Sequence, residues 1–564
     1  MDLFQRIKTD RRIALILGAI LVFTIFSGTF KNGFVGLDDP YVVIENHAVA
    51  SFDLKEIFFT AKNVDYIPIV YLSYCFERLI AGINPSIYHF DNVLLHVANY
   101  ILVFLIFFEI STNLGLAFFT ALLFGIHPQH VESVAWVTER KDLLYGLFYL
   151  FSIFLYLRVR FKYQKIFRSW QFWVCLISFI LSLGSKSMAV TLPAILLVFD
   201  YLAENKFLKK DLISKIPFVL VAVPWAVATF FIQSSLRQGV PTSFSFFDAI
   251  PRILDSTTFY LIKSVLPFGL CVWYDRADVI FGIAEYSIAF GIVCLLLYVA
   301  NRSNAYRNHL YFGLTFFFIS ALPILQIIPF GKTFLFADRY SYIPTLGLFY
   351  DYSICFMILA KKLQQYFPKI QFAIYSTLAL LIGLLSVSTF QQTKTWFDTK
   401  SLWENVLKHY PNSAEGHFNL GVAYEAREDL PRVIEEYKKA IEINPRLVEA
   451  QMDLGGIYIR TRQWDLAERQ YKITEELEPG SPLVHMNLGL VTYLTKRYDE
   501  AEKHLLKSLS IEPDFKTTHI ILGSVYLKRG EKERGKAELQ KAEKIPDGAV
   551  IFNGIGHRPE NPVY

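Results

Sequence analysis

The sequence predicts an all-α protein in two parts: a polytopic membrane domain of about 11 spans, followed by a soluble α-solenoid. Three observations predict it. The 564-residue chain is 53% hydrophobic and 16% aromatic, with 51 Phe and 32 Tyr, which is too apolar for a soluble protein of this size. The apolar residues are concentrated: a series of hydrophobic runs occupies residues 13–390, and the chain turns polar and charged from about 392. In that second part proline recurs every 34 residues, at Pro411, Pro445, Pro479 and Pro513.

In chain order, a basic N-terminus (Arg6, Lys8, Arg11, Arg12) precedes the first apolar run, Ile13 to Phe30. That run is long and has no Ala-x-Ala-like site after it, so it reads as a retained signal anchor. Further runs centre on 91–110, 114–127, 143–158, 170–184, 187–203, 216–233, 283–300, 310–329, 343–360 and 371–390. Residues 67–82 and 250–272 carry charges within apolar stretches and read as helices at the membrane surface. The loops after the fourth, sixth, eighth and tenth runs are basic: Arg158 to Arg168, Lys206 to Lys215, Arg302 and Arg307, Lys361 to Lys369. Basic loops stay in the cytoplasm. This expectation places the N-terminus inside and the C-terminal domain on the non-cytoplasmic side: periplasm, cell exterior or endoplasmic reticulum lumen. The net charge of +5 carries no nucleic-acid signal. The five cysteines fall in the membrane part with no CxxC, so no disulfide framework is expected.

The repeat has further phase marks. Leu-Gly pairs stand at Leu420-Gly421, Leu454-Gly455, Leu488-Gly489 and Leu522-Gly523, with Tyr424, Tyr458 and Tyr526 three residues after their glycines. A 34-residue unit of two amphipathic helices is the tetratricopeptide pattern. About four repeats follow a capping helix with Trp396 and Trp403, giving expected borders of 1–391, 392–548 and an irregular tail at 549–564. Taken alone, such an array is a binding scaffold.

Four polar clusters interrupt the membrane part, all on the expected non-cytoplasmic face. The first is Asp38-Asp39, just after the first run, where burial and mutual repulsion separate two carboxyl pKa values and suit one to act as a base. An Asp-Asp-Pro turn is the plainer explanation. The second, His127 to Asp142, holds His127, His130, Glu132, Glu139, Arg140 and Lys141. Charges this close to a span are costly unless they line a polar cavity. His127, His130 and Glu132 are conceivable metal ligands, but Pro128 interrupts the helix and their spacing matches no known ligand set. The third holds Lys186, a snorkelling side chain or a point charge for a phosphate. The fourth holds Asp338 and Arg339, whose planar guanidinium grips phosphate well. Its Tyr340 and Tyr342 suit an interfacial belt.

These motifs together, Asp38-Asp39, the run His127 to Asp142, Ser185-Lys186 and Ala337 to Pro344, resemble the transmembrane and tetratricopeptide-repeat-containing family. That family is similar to the GT-C glycosyltransferases, including protein O-mannosyltransferases. The resemblance covers almost the whole chain. It implies a GT-C-like membrane domain that moves a sugar, mannose among the candidates, from a polyprenyl- or dolichyl-phosphate donor to a protein or peptide acceptor held by the repeats. By resemblance, Asp38 or Asp39 is the catalytic base, and Arg140, Lys141, Lys186 and Arg339 serve the donor phosphate. A bridging divalent cation is left open. The chain departs from the family at Ser187, where an acidic residue is usual. Three other readings stand beside it: a lipid-linked polysaccharide polymerase or ligase, a non-catalytic membrane scaffold, and a transporter. A transporter would place its charges nearer the bilayer midplane.

Overall fold

The computed structural model describes residues 10–59, 66–162, 166–206, 208–236, 246–274, 281–325, 327 and 336–545. Asp65, a polar residue of the first loop, and the tail expected from 549 lie outside them. Among the described residues every regular element is helical. The chain divides into two compact units, Met1–Leu402 and Trp403–Tyr564.

The first unit is a multi-pass helical membrane domain. Each of the eleven apolar runs forms a helix. Seven are long and apolar enough to cross a membrane: Arg11–Lys31, Pro85–Ser111, Val137–Arg160, Ser187–Glu204, Asp211–Phe231, Ile283–Arg302 and Gln371–Trp396. Leu114–Ile126 makes an eighth if it is counted with Pro128–Ala135, from which it is bent by 51°. The remaining three runs give Trp170–Leu183 and Arg307–Ala321, of 14 and 15 residues, and Thr345–Tyr366. The last carries a buried Asp351. The stretches read as surface helices form Pro68–Ala81 and Phe246–Lys263. All five cysteines are free thiols.

Local chemistry sets the helix ends. Asn84 and Asn113 cap their helices by accepting the backbone N–H of Ser86 and Leu116, satisfying donors that the first turn leaves orphaned. Pro128 lacks an N–H and pushes His127 into extended backbone, which ends Leu114–Ile126. From there to Arg140 the chain runs through short turns, Pro128–His130, Val131–Ala135 and Val137–Glu139, all of them buried. Broken backbone of this kind is tolerated in a membrane protein where other protein covers it.

Arg307–Ala321 and Thr345–Tyr366 pack backbone to backbone. A Cβ at Gly347 would clash with the Gly313 carbonyl oxygen, and one at Gly313 would meet Asp351.

The second unit stacks four helix pairs: Ala414–Glu425 with Leu430–Ile443, Val448–Arg460 with Trp464–Leu477, Pro482–Leu494 with Tyr498–Ile511, and Lys516–Lys528 with Lys532–Lys544. The phased glycines have a steric cause. A Cβ at Gly421 or Gly455 would press into the ring of Tyr437 or Tyr471, and one at Gly489 into Leu505. The turn inside each pair passes through left-handed backbone at Glu428, Arg462, Lys496 and Gly530, again 34 residues apart. Three of these four are not glycine, so composition did not mark them.

Candidate functional site

Asp38 and Asp39 leave the first span and occupy unlike surroundings. Asp39 is buried. One carboxylate oxygen accepts the Val35 N–H at 2.9 Å, and the other accepts the Thr138 N–H at 3.0 Å and the Thr138 hydroxyl. Burial, the largest influence, raises its pKa to about 7; the hydrogen bonds pull it back down and the Asp38 charge adds to the rise. Asp38 is exposed beside it, its backbone carbonyl accepting the Val42 N–H. The turn therefore presents one carboxylate outward while the other ties it to Thr138, 99 residues away.

Thr138 is next to Glu139, where the cationic residues gather. Lys141 Nζ lies 3.1 Å and Arg339 Nε 3.2 Å from one Glu139 oxygen, and Lys186 Nζ lies 3.8 Å from the other. Lys186 also pairs with Asp142, and Arg339 with Glu132. The Glu132 carboxylate further accepts the Arg339 backbone N–H at 3.0 Å, and Asp142 accepts the Ser133 hydroxyl at 3.0 Å. Arg339 lies over the rings of Trp136 and Tyr340, and Lys186 over Tyr340. Three carboxylates and three cations thus form one alternating cluster. The carboxylates are sealed, whereas Lys141, Lys186 and Arg339 each keep 11% of their side chain exposed, so the open edge of the cluster is cationic. Burial, the largest single influence, pulls the Arg339 pKa down, but Glu132 first, then Tyr340 and Glu139, together hold the guanidinium well above its ordinary pKa.

Not every expected residue joins. The Arg140 guanidinium turns away from this edge. It makes a two-pronged pair with Glu77, donates to Asn92 Oδ1 at 2.8 Å and the Tyr88 carbonyl at 2.9 Å, and lies over the Tyr74 ring. Desolvation lifts the Glu77 pKa to about 7, with Arg140 pulling it down. Asp338 accepts the Tyr274 hydroxyl at 2.7 Å. Its carboxyl is pushed well above the usual range by burial first and the Glu132 charge next.

His127, His130 and Glu132 do not converge on a metal. His130 meets the Phe124 carbonyl and the Thr345 hydroxyl, His127 accepts the Gln129 N–H, and Glu132 is taken by Arg339. Among the described residues the one group with metal-ligand atoms close enough together is Glu475, His485 and His504, in the second unit. Tyr342 is not an interfacial residue either: it is buried, and its hydroxyl meets His96 Nδ1 at 2.8 Å and the Asn99 amide at 2.9 Å.

Four participants were not singled out from sequence: Glu77, Asn92, Thr138 and Asp142. Thr138 and Asp142 lie within the second motif and Glu77 interrupts an apolar stretch, so signals existed. Asn92 offers none that separates it from His89, His96 and Asn99 on the same helix.

Comparison with known proteins covers both units. Tetratricopeptide-repeat family models match residues 414–447 and 452–516. The second unit is a tetratricopeptide-repeat array. Across both units the chain is similar to Protein O-mannosyl-transferase F38B6.6 of Caenorhabditis elegans, at 25% identity over 76% of this chain and 60% of the relative. It is similar also to human Protein O-mannosyl-transferase TMTC4, at 23% over 72% and 63%. A shorter match to human Protein O-mannosyl-transferase TMTC2 reaches 37% identity over 100 residues, 18% of this chain and 12% of that protein. The resemblance read from the motifs is thus met by relatives of that family over most of the chain. The chain spans about three-fifths of the length of the first two relatives. Among solved structures, that of MamA aligns with 28% of the chain and 89% of its own length at 23% identity, with a TM-score of 0.25, too low to carry an argument.

Proposed function

We propose that the protein is an integral-membrane glycosyltransferase of GT-C type. It moves a sugar, mannose by analogy with its relatives, from a polyprenyl- or dolichyl-phosphate donor to a protein hydroxyl on the non-cytoplasmic side, and its repeats bind the acceptor. One observation carries the reading: the Asp38-Asp39 turn is tied through Thr138 to the segment that organises Lys141, Lys186 and Arg339 around Glu139. A base and a cationic edge are what an inverting transfer from a phosphate-linked sugar requires.

Asp38 is the base in this reading. It is exposed and so can meet an acceptor hydroxyl, whereas Asp39 is buried. As the hydroxyl oxygen attacks the anomeric carbon, Asp38 takes its proton and the sugar–phosphate bond breaks. The departing phosphate keeps the electron pair, and its charge falls against Lys141, Lys186 and Arg339. These three must partly exchange Glu139 for phosphate, so Glu139 acts as a placeholder that keeps them gathered without a donor. Arg140 is a positioning residue, holding Pro68–Ala81 and Pro85–Ser111 together behind the site. Asp338 is held by the Tyr274 hydroxyl, and His130 by the Phe124 carbonyl and the Thr345 hydroxyl, which fixes the chain on either side of the cluster.

The test uses membranes given radiolabelled polyprenyl-phosphate mannose and, in parallel, other polyprenyl-phosphate sugars. Asp38→Asn is expected to lower transfer to protein by about 10²–10⁴-fold with insertion unchanged, and Lys186→Gln to weaken use of the donor. Full transfer by both Asp38→Asn and Asp39→Asn would overturn the reading and leave the scaffold; label in glycan rather than protein would select the polymerase or ligase.

A further inference from the structure

The repeats share a pair of positions 19 residues apart, one on each helix of a unit. In the first unit they hold His417 and Glu436, and in the fourth His519 and Glu538. In both, the ring Nδ1 meets the carboxylate at 2.6 Å. The second unit has Gln451 and Gln470 there. The third has His485 and His504, so an imidazole replaces the carboxylate. A carboxylate comes instead from Glu475, on the second helix of the preceding repeat.

The first residue of each pair is oriented by a backbone carbonyl. His417, Gln451, His485 and His519 each donate to the carbonyl of the phased proline six residues earlier, Pro411, Pro445, Pro479 and Pro513, at 2.8–3.0 Å. In His485 this makes Nε2 the N–H and turns Nδ1 toward Glu475 Oε1, 3.3 Å away. The His485 ring is fully buried and its Nδ1 has no hydrogen-bond donor. In the neutral ring, two lone pairs face each other, an arrangement that calls for a cation between them: at His417 and His519 a proton bridges the 2.6 Å gap, whereas the gap here is 3.3 Å and a second imidazole, His504, stands beside it. Lys507, half-exposed, lies 3.4 Å from the same Glu475 oxygen and competes with any ion for it.

We propose that Glu475, His485 and His504 bind a divalent transition-metal ion of the zinc class. Two neutral imidazoles and a carboxylate are a ligand set zinc favours, with water in the remaining position. A ligand histidine whose other nitrogen donates to a backbone carbonyl is the usual supporting arrangement. At ligand distances of about 2.0–2.1 Å, a tetrahedral site has edges of about 3.4 Å, and the His485–Glu475 edge is already 3.3 Å. The three ligand atoms lie within 4.8 Å of one another, so rotation of the partly exposed His504 closes the site. The ion would staple the second repeat to the third and stiffen the array where the intra-repeat His–Glu pair is absent.

The repeat itself supplies variants compatible with folding. His504→Gln copies Gln470, and His485→Gln/His504→Gln copies the whole second-unit pair. The full chain, purified in detergent and stripped with a chelator, is titrated with Zn²⁺ alone and separately with Co²⁺, whose visible d–d bands report the ligand geometry. The native chain should bind one equivalent more than the double variant, show d–d bands that His504→Gln loses, and gain thermal stability with Zn²⁺. Lys507→Gln should bind more tightly, because its ammonium no longer competes for Glu475. Equal stoichiometry in native chain and double variant, or d–d bands that persist in both His variants, would overturn the site. Thermal unfolding of the metal-free proteins checks that the variants are folded. None of these readings depends on sugar transfer.

Discussion

Both units are laced with ion pairs, but they use them differently. In the membrane unit the pairs that hold the site together join residues far apart in sequence, such as Arg339 with Glu132 and Arg140 with Glu77, and in these at least one partner is sealed from solvent. In the repeat unit they are local or bridge adjacent repeats, and most stay half-exposed: Lys439 with Glu435, Arg460 with Glu425. A buried charge that loses its partner is left uncompensated, whereas an exposed one returns to water. The first kind of pair therefore fixes a unique arrangement of elements, and the second decorates a stack that packing already specifies.

The largest effect that would sharpen this contrast is at Arg140. Arg140→Met should destabilise the protein by about 3–5 kcal/mol, read as lost thermal stability in detergent. Arg140→Met combined with Glu77→Leu should recover most of it, since no lone charge is left. A small effect of the single variant would break the comparison.

Asp39 comes next. Its carboxyl holds its proton more tightly when folded, with a pKa of about 7 against an ordinary 3.8. Its ionisation therefore opposes folding: the stabilisation is full below about pH 4 and is lost as pH rises through about 7. The difference in stability between native chain and Asp39→Asn should change by a few kcal/mol across that window, measured as unfolding midpoints against pH. A flat difference would show that Asp39 is already ionised in the folded state.

Glycines give a third contrast. At Gly347 an added methyl meets backbone, which cannot yield, so Gly347→Ala should cost about 1–3 kcal/mol. At Gly421 it meets the Tyr437 side chain, which can shift, and Gly421→Ala should cost less. Equal losses by thermal melt would contradict this. The smallest effect belongs to Arg460→Gln, expected under about 1 kcal/mol and shrinking further in high salt.

Much of this was legible from one sequence because the signals are local. Apolar run length, the 34-residue phase and the Leu-Gly pairs each report a constraint that acts within a few turns of helix. The motifs at Asp38-Asp39, His127 to Asp142, Lys186 and Arg339 were legible as polar interruptions. Their partners were not. Arg140 and Lys141 are adjacent, yet Arg140 is buried against Glu77 and Lys141 reaches the edge beside Glu139. They open the helix Arg140–Lys162, where successive side chains point about 100° apart, and no residue type announces which of the two directions meets Glu77. The His485, His504 and Glu475 group shows the same limit from the other side: the repeat phase aligns the two histidines, but only stacking of neighbouring repeats delivers the glutamate.

The sequence by itself determined the two-part all-α architecture, the repeat unit and the polar segments, because hydrophobic burial and helix periodicity are written into neighbouring residues. Tertiary structure alone decided which aspartate faces outward, which cations share Glu139, and which carboxylates lie hidden behind them. Those choices depend on the direction each side chain takes from broken backbone and on partners tens to hundreds of residues away. In a low-dielectric interior, such partners govern where a charge can sit.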